Sequence, residues 1–357
     1  MQFSQKSKEH MDSCRFCWMC RHICPIGNAT GQERNTARAR ALGLSLVARD
    51  AVEYSEDIIK NVYECALCGA CVKECVTGWD PVMFTKEARL GAALDGKLPD
   101  YILKLIENLQ AGGSIYKTAK YDVPDMADRD TLLFLGEDAL YQAHSCADKA
   151  ITLLKKLGVD FTVLKDEPNS GYSMDFLVGA AAETKAVMEN CARVLSKYKK
   201  IICYDGADAK VMKRECKEWG IELEAEVVTF TAFIAEWINS GKAQIRQSDM
   251  KLTPQDSALL ARDLEETQPI RDILSACGTV SEMLLNRKDT MLAGNLIMNE
   301  YMPDVIERVA QDRWQNAANM NTEVLVTEST AEYVMLRQTK PAHIEVMTVE
   351  EVVLKCL

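Results

Sequence analysis

The sequence CRFCWMCRHICP, residues 14–25, places four cysteines within eleven positions, and CALCGACVKEC, residues 65–75, repeats their spacing. Both runs read Cys-x2-Cys-x2-Cys-x3-Cys; proline follows the first run, whereas Val76 follows the second. Zinc sites usually combine two close cysteine pairs from separate knuckles. Three cysteines at three-residue steps instead wrap one turn of chain around a [4Fe–4S] cube, for which thiolate is the preferred soft ligand. The spacing therefore predicts two [4Fe–4S] clusters, with zinc sites or free thiols as the alternative.

The fourth cysteine of each run is predicted to bind the cluster of the other run, as in two-cluster ferredoxins. The metal ligands expected for the first cluster are Cys14, Cys17, Cys20 and Cys75. Those expected for the second cluster are Cys65, Cys68, Cys71 and Cys24. Because crossed ligands hold two clusters close together, the pair is expected to form a two-step path for electrons. Trp18, His22 and Trp79 lie next to these ligands, and the aromatic side chains are expected to shield the clusters from water.

Composition narrows the class of protein. The chain has 357 residues and a formal net charge of −11, which argues against a nucleic-acid partner. No stretch has the roughly 18 apolar residues that a membrane span needs, and the first residues lack a secretory signal, so a cytoplasmic protein is expected. Its 14 cysteines fit metal binding better than disulfides in that compartment. The six cysteines outside the two runs are expected to be buried core residues: Cys146, Cys191, Cys203, Cys216, Cys277 and Cys356.

The pattern of apolar residues predicts an α + α/β protein: an α-helical ferredoxin domain, then a duplicated α/β region with mostly parallel strands. The expected domains are residues 1–112, 113–245 and 246–357. Strands are predicted at residues 131–136, 160–164, 199–204, 323–328 and 343–347, and helices of the α/β region at 141–158, 181–198, 271–277 and 303–317. Residues 239–257 are polar and rich in turn formers, so they are expected to join the two copies. Asp80 and Pro81 are the expected N-cap and first residue of a helix.

This arrangement resembles the iron–sulfur subunits of glycolate or lactate oxidases and of heterodisulfide reductases. Proteins of that kind carry two cysteine-rich modules, each with a Cys, a Cys-Cys-Gly and a Cys-x-x-Cys. The resemblance places Glu137, Asn169, Ser170, Asp205 and Asp208 at the thiol positions of the first module. It places Ala258, Leu292, Ala293, Ser329 and Glu332 at those of the second. The glycines Gly171 and Gly294 remain, so the modules are expected to keep their backbone and to bind no cluster. The acidic replacements are expected to be solvated, with a hard cation site as the alternative.

The resemblance implies an iron–sulfur electron-transfer subunit of an oxidoreductase in anaerobic metabolism, without catalytic residues of its own. The implied partner is an FAD-linked dehydrogenase or oxidase that acts on a hydroxy acid or alcohol. An electron-transfer flavoprotein or another acceptor would complete the path. The alternatives are a catalytic heterodisulfide reductase-like subunit and an assembly protein that senses iron or oxygen. The sequence contains no dinucleotide, Walker or nucleophile-elbow motif.

Overall fold

The computed structural model describes all residues, Met1–Leu357. The part before residue 113 contains helices joined by loops and no strand. The helices of this part are α1 (Gln5–Asp12), α2 (Met19–His22), α3 (Pro25–Thr30), α4 (Ala37–Ala48), α5 (Glu56–Tyr63), α6 (Ala70–Glu74), α7 (Pro81–Leu94) and α8 (Asp100–Gly112). Side chains of polar residues set where three of the longer helices begin. Thr36 caps α4, Ser55 caps α5, and Asp80 accepts hydrogen bonds from two backbone N–H groups at the start of α7. The predicted Asp80 cap followed by Pro81 is confirmed.

The first α/β unit has three parallel strands in the order β1-β2-β3. Its strands are β1 (Thr131–Phe134), β2 (Lys200–Cys203) and β3 (Glu226–Thr229). Its helices are α9 (Glu137–Tyr141), α10 (His144–Lys156), α11 (Tyr172–Val178), α12 (Ala182–Leu195), α13 (Gly206–Lys210), α14 (Cys216–Glu218) and α15 (Phe230–Asn239). A π-helical turn at Val211–Glu215 joins α13 to α14. Strands alternate with helices because each parallel connection crosses over the sheet.

The second α/β unit repeats the scheme with four parallel strands in the order β5-β4-β6-β7. Its strands are β4 (Lys251–Gln255), β5 (Thr279–Val280), β6 (Val324–Thr327) and β7 (Glu345–Thr348). Its helices are α16 (Pro269–Cys277), α17 (Leu296–Asn299), α18 (Pro303–Asn319), α19 (Thr330–Gln338) and α20 (Val349–Cys356), with a π-helical turn at Leu259–Asp263. The predicted α + α/β class with parallel strands is confirmed.

One local prediction is wrong, and the predicted join between the copies is shorter than the polar segment suggests. Residues 160–164 do not form a strand, because only Thr162 makes a bridge, to Leu132 of β1. The polar segment 239–257 is not all linker, since its last part is β4, which lies between β5 and β6. Thr253 and Gln255 of β4 are fully buried. Their polar groups therefore need hydrogen-bond partners within the protein in place of water.

The helical part and the α/β units share one apolar core. Ile59 and Phe84 belong to the same buried cluster as Phe176 of the first unit and Ile306 of the second. Tyr63 Oη also donates a hydrogen bond to the carbonyl oxygen of Leu177 at 2.8 Å. The α/β units therefore pack directly against the helices that carry the cysteines. None of the helices combines the length and apolar character required to cross a membrane.

Candidate metal centres

The two cysteine runs adopt the same unusual backbone. In the first run Phe16 and Trp18 have positive φ values of 59° and 68°. The residues at the same places in the second run, Leu67 and Gly69, have φ values of 50° and 71°. A positive φ is uncommon for residues with a side chain, so its repetition at matching positions indicates one loop geometry used twice. A short helix follows each loop, α2 after Trp18 and α6 after Gly69.

The thiols of the second run lie close to Cys24 of the first. Burial raises the pKa of Cys71 far above its ordinary value, and the neighbouring Cys68, Cys65 and Cys24 raise it further. Burial likewise raises the pKa of Cys24, opposed by Arg40 and reinforced by Cys65. Cys24 also raises the pKa of Cys20 in its own run, so its thiol lies near thiols of both runs. The crossed ligation stays a prediction. A metal that binds thiolates removes this cost of burying several like charges together.

Cys75 has different surroundings. Burial tends to raise the pKa of this thiol, but hydrogen bonds from Thr77 Oγ1, at 3.2 Å, and from backbone N–H groups of Thr77, Gly78 and Trp79 outweigh it and lower the pKa. Donors of this kind stabilise a thiolate, which is the form that binds iron. The Cys75 sulfur is a suitable ligand atom for iron, and its lowered pKa favours the thiolate form that binds it.

Three arginines donate hydrogen bonds to the backbone at the start of the second run, and none of them was identified from the sequence. Arg40 donates to the carbonyl oxygen of Glu64 at 3.2 Å and Arg89 to that of Cys65 at 2.6 Å. Arg262, from the second α/β unit, donates to the carbonyl oxygen of Cys68 at 2.7 Å. One of them could have been suspected from the sequence: Arg89 is a charged residue on the apolar, buried face of α7. The sequence does not indicate which backbone carbonyl groups the three arginines bind.

The aromatic neighbours of the ligands differ in exposure. Trp79 is fully buried and lies 5.8 Å from the ring of Phe84, in agreement with a shielding role. Trp18 and His22 are exposed, so neither shields a buried centre from water. The six cysteines outside the two runs are buried, as predicted.

The structure brings the five replaced positions of the first module together. Asn169 Nδ2 donates to Glu137 Oε2 at 3.0 Å, and Ser170 Oγ donates to Asp208 Oδ1. Glu137 Oε1 also accepts from the backbone N–H of Ile115 at 2.6 Å, and Asp205 Oδ1 accepts from that of Ala207 at 2.8 Å.

The expectation that these acids are solvated is wrong. Burial raises the pKa of Glu137, Asp205 and Asp208, and the hydrogen bonds above take the place of water. No group of three or more His, Cys, Asp or Glu side chains in the structure is arranged to hold a single metal ion.

The replaced positions of the second module also converge. Glu332 accepts from the backbone N–H of Ala293 and from Gln255 Nε2, both at 3.1 Å. Ala258, Leu292, Ser329 and Glu332 line a small cavity of about 40 Å³. Cys68 of the second run and Asp205 of the first module line the same cavity. The space at the second module is thus filled mostly by side chains and lies beside the second cysteine run.

Comparisons with known proteins agree with this geometry. Residues 10–79, which contain all eight cysteines of the two runs, match the 4Fe-4S dicluster domain. The match confirms the prediction of two [4Fe–4S] clusters.

The whole chain also has relatives. It is 24% identical to one of the subunits of the dihydromethanophenazine:CoB–CoM heterodisulfide reductase of Methanosarcina acetivorans, over 88% of this chain and 85% of the relative. The same subunit from Methanosarcina mazei has the same identity and coverage. A crystal structure of a hypothetical protein from Helicobacter pylori superposes with a TM-score of 0.62, at 11% identity, over 99% of this chain and 73% of that one. This last likeness supports the fold alone.

Proposed function

We propose that this chain, an iron–sulfur electron-transfer subunit related to the heterodisulfide reductase subunits of Methanosarcina, passes single electrons between a flavoprotein dehydrogenase and a further acceptor. When bound, each [4Fe–4S] cluster accepts and releases one electron at a time, which suits the stepwise reoxidation of a two-electron flavin. The repeated loop geometry of the two cysteine runs supports this role most directly. Helix α2, which follows the first loop, packs against α6, which follows the second, so the chain holds both sites next to each other.

The ligand sets that we propose are those expected from the spacing. The first cluster is held by Cys14, Cys17, Cys20 and Cys75, and the second by Cys65, Cys68, Cys71 and Cys24. The closeness of Cys24 to the second set supports the crossing. For Cys75 the support is the lowered pKa of its thiol.

The two α/β units serve as a scaffold in this proposal, with boundaries at residues 1–112, 113–245 and 246–357. Arg262 supports the second cysteine run from the second unit. Arg89 links the same run to the first unit, because its guanidinium donates both to the carbonyl oxygen of Cys65 and to that of Phe176, the latter at 2.5 Å. The scaffold thereby supports the backbone of the second cysteine loop from two directions.

We propose an FAD-linked dehydrogenase that oxidises a hydroxy acid or alcohol as the partner, because of the resemblance to glycolate and lactate oxidase subunits. An electron-transfer flavoprotein or another carrier would be the acceptor. We also place the protein in the cytoplasm, where reducing conditions keep eight ligand thiols available for iron.

A second candidate function is catalysis of heterodisulfide reduction, which the names of the two Methanosarcina relatives favour. The ten module positions argue against it. Carboxylate, amide, hydroxyl and aliphatic groups occupy these positions. None of these groups can take the place of a thiolate as a ligand of an iron–sulfur cluster.

Anaerobic purification of the tagged chain from its native cells tests the proposal. A flavin-containing polypeptide should co-purify, and 2-hydroxy acids should bleach first the flavin and then the iron–sulfur absorption. In a matched preparation of the Cys14→Ala/Cys65→Ala variant, flavin bleaching should persist while the iron–sulfur signal is lost. A wild-type preparation without any flavin-containing polypeptide would contradict the proposal.

A further inference from the structure

The two cysteine loops share a backbone but differ in what covers them. Over the second loop lies the side chain of Arg262, which would stand 3.5 Å from a Cβ atom at Gly69. Lys73, just after this loop, also pairs with Asp289 of the second α/β unit. The C-terminal half of the chain therefore already occupies one side of the second loop.

The first loop instead presents large apolar side chains to solvent. Phe16 is 59% exposed, Trp18 42% and Met19 47%, and Cys17 between them is exposed as well. Apolar side chains of this size at the surface indicate an interaction site when they are grouped. Here they surround a predicted iron ligand, where a redox partner must come close.

Helix α4 extends this apolar group. The guanidinium of Arg38 lies 4.0 Å from the ring centre of Phe16 and 5.9 Å from that of Trp18. Leu42 and Leu46 follow Arg38 at intervals of four residues, so they lie on the same side of the helix, and both are exposed. The exposed apolar side chains of α4 therefore lie on the helix that packs beside the first loop and α2.

The charge of this region is opposite to that of the chain as a whole. Residues 13–49 contain six arginines, one glutamate and no lysine or aspartate, although the whole chain carries a net charge of −11. Arg34 and Arg49 have acidic partners, and Arg40 is buried. Arg38 is buried as well. The remaining two, Arg15 and Arg21, are exposed on or beside the loop and have no ion pair to an acidic residue.

We propose that this face, made of Phe16, Trp18, Met19, Leu42 and Leu46 with the exposed arginines Arg15 and Arg21 beside them, docks the flavoprotein partner. The partner would present carboxylates to the arginines around an apolar centre, a pairing that favours fast association and correct orientation. Electrons would then cross at the loop of Cys14, Cys17 and Cys20, while the covered second loop lies farther inside. This inference rests on the proposed function and adds the docking site and the surface chemistry of the partner.

The native complex provides the first test. The Arg15→Glu/Arg21→Glu variant and the Leu42→Ser/Leu46→Ser variant should each retain at least fivefold less flavin per chain than the wild type. The matched controls are Lys155→Glu/Lys217→Glu, an equal change of charge at two exposed lysines of the first α/β unit, and Leu284→Ser, at an exposed leucine of the second. Both controls should retain the wild-type amount. Equal flavin retention in all variants would overturn the docking site but leave the proposed function intact.

A defined probe tests the face without the native partner. Photoreduced flavodoxin, an acidic flavin protein, should reduce the purified chain in a reaction that slows as salt is added. The Arg15→Glu/Arg21→Glu variant should react at least about tenfold more slowly at low salt, and Arg15→Lys/Arg21→Lys should restore the rate. Iron content establishes that each variant retains its clusters. Rates within twofold of the wild type for the glutamate variant would overturn the proposal.

The two experiments separate the docking site from the proposed function. If no flavin-containing polypeptide co-purifies with the wild type, the proposed function itself fails, and the flavodoxin rates still decide whether this face receives electrons.

Discussion

Arg262 Nη1 donates a hydrogen bond to the backbone carbonyl oxygen of Cys68 at 2.7 Å, across 194 positions of sequence. The same guanidinium donates from Nε to the carbonyl oxygen of Lys288 at 3.0 Å and also to that of Thr290. One side chain of the second α/β unit thus joins a loop of its own unit to a cluster-binding loop. Burial raises the pKa of Cys68 to about 11, and Arg262 opposes that rise, so its charge acts at the ligand.

Replacing Arg262 should therefore change the reduction potential of the second cluster. A positive charge stabilises the extra negative charge of the reduced state, so Arg262→Gln should lower that potential by tens of millivolts, on the order expected for one charge at this range. The first cluster should be unaffected. A redox titration followed by electron paramagnetic resonance measures both potentials, with Arg193→Gln on the exposed side of α12 as the control. A shift confined to the first cluster would contradict the assignment of Cys68.

Replacing Cys24 tests the crossed ligand sets. Cys24→Ala should damage the second cluster and leave the first spectroscopically intact, because the proposed assignment makes Cys24 a ligand of the cluster held by Cys65, Cys68 and Cys71. Cys203→Ala, which removes a thiol buried in the core of the first α/β unit, should keep the full iron content. Spectra of the reduced Cys24→Ala protein that show damage to the first cluster alone would refute the crossing.

Sequence reasoning succeeds where the signal is local. The cysteine spacing predicts two clusters, and apolar runs predict β1, β2, β6 and β7 because buried parallel strands need such residues. It fails where distant contacts decide the structure. The segment containing β4 looks like linker, since proline and alternating polar residues disfavour a central strand. In the fold, Gln255 of this strand donates to the carbonyl oxygen of Met291 at 3.0 Å and accepts from Arg313 at 2.5 Å.

The same limit applies to the candidate site. The eight ligand cysteines can be proposed from spacing, but the supporting arginines cannot. Arg40, Arg89 and Arg262 act through backbone carbonyl groups, which are present in every residue and leave no trace in the sequence. Sequence alone places the acids at the module positions in water, because single carboxylates usually stay exposed. Only the packing of the first α/β unit reveals that Glu137 and Asp208 are enclosed together with their hydrogen-bond donors.

The module positions should add no iron to the protein. Anaerobic reconstitution should give about eight irons and a similar amount of sulfide per chain, four irons for each cluster. Asp208→Asn should leave this content unchanged, because Asp208 is occupied by its hydrogen bond with Ser170 and does not serve as a ligand. About twelve irons in the wild type, falling to eight in the Asp208→Asn variant, would show that the first module still binds a cluster.

Glu350 should make the stability of the fold depend on pH. Burial raises the pKa of this carboxyl group from 4.5 to about 7, and Tyr204 Oη donates to it at 2.7 Å. The folded chain therefore holds a proton that the unfolded chain releases between about pH 4.5 and 7, so stability falls as the pH rises through this range. Glu350→Gln removes that penalty and should stabilise the fold near pH 8 by on the order of 1–3 kcal/mol.

Thermal unfolding near pH 6 and near pH 8 measures this effect. The gain in melting temperature from Glu350→Gln should be larger at the higher pH, on the order of a few degrees for a chain of this size. Glu189→Gln, at an exposed position of α12, serves as the control and should show no such difference. A gain that is equal at both pH values would mean that Glu350 titrates in its ordinary range.

The oxidation of reduced methyl viologen by the isolated, flavin-free chain tests the central claim, that this protein carries electrons but does not itself turn over a substrate. The chain should oxidise about two equivalents of dye, one for each cluster, and then stop. Addition of the CoB–CoM heterodisulfide, an electron acceptor, should produce no further oxidation of the dye, because the ten module positions carry no thiolate. Continuous oxidation of the dye in proportion to added heterodisulfide would contradict the relay and make the chain a catalytic reductase.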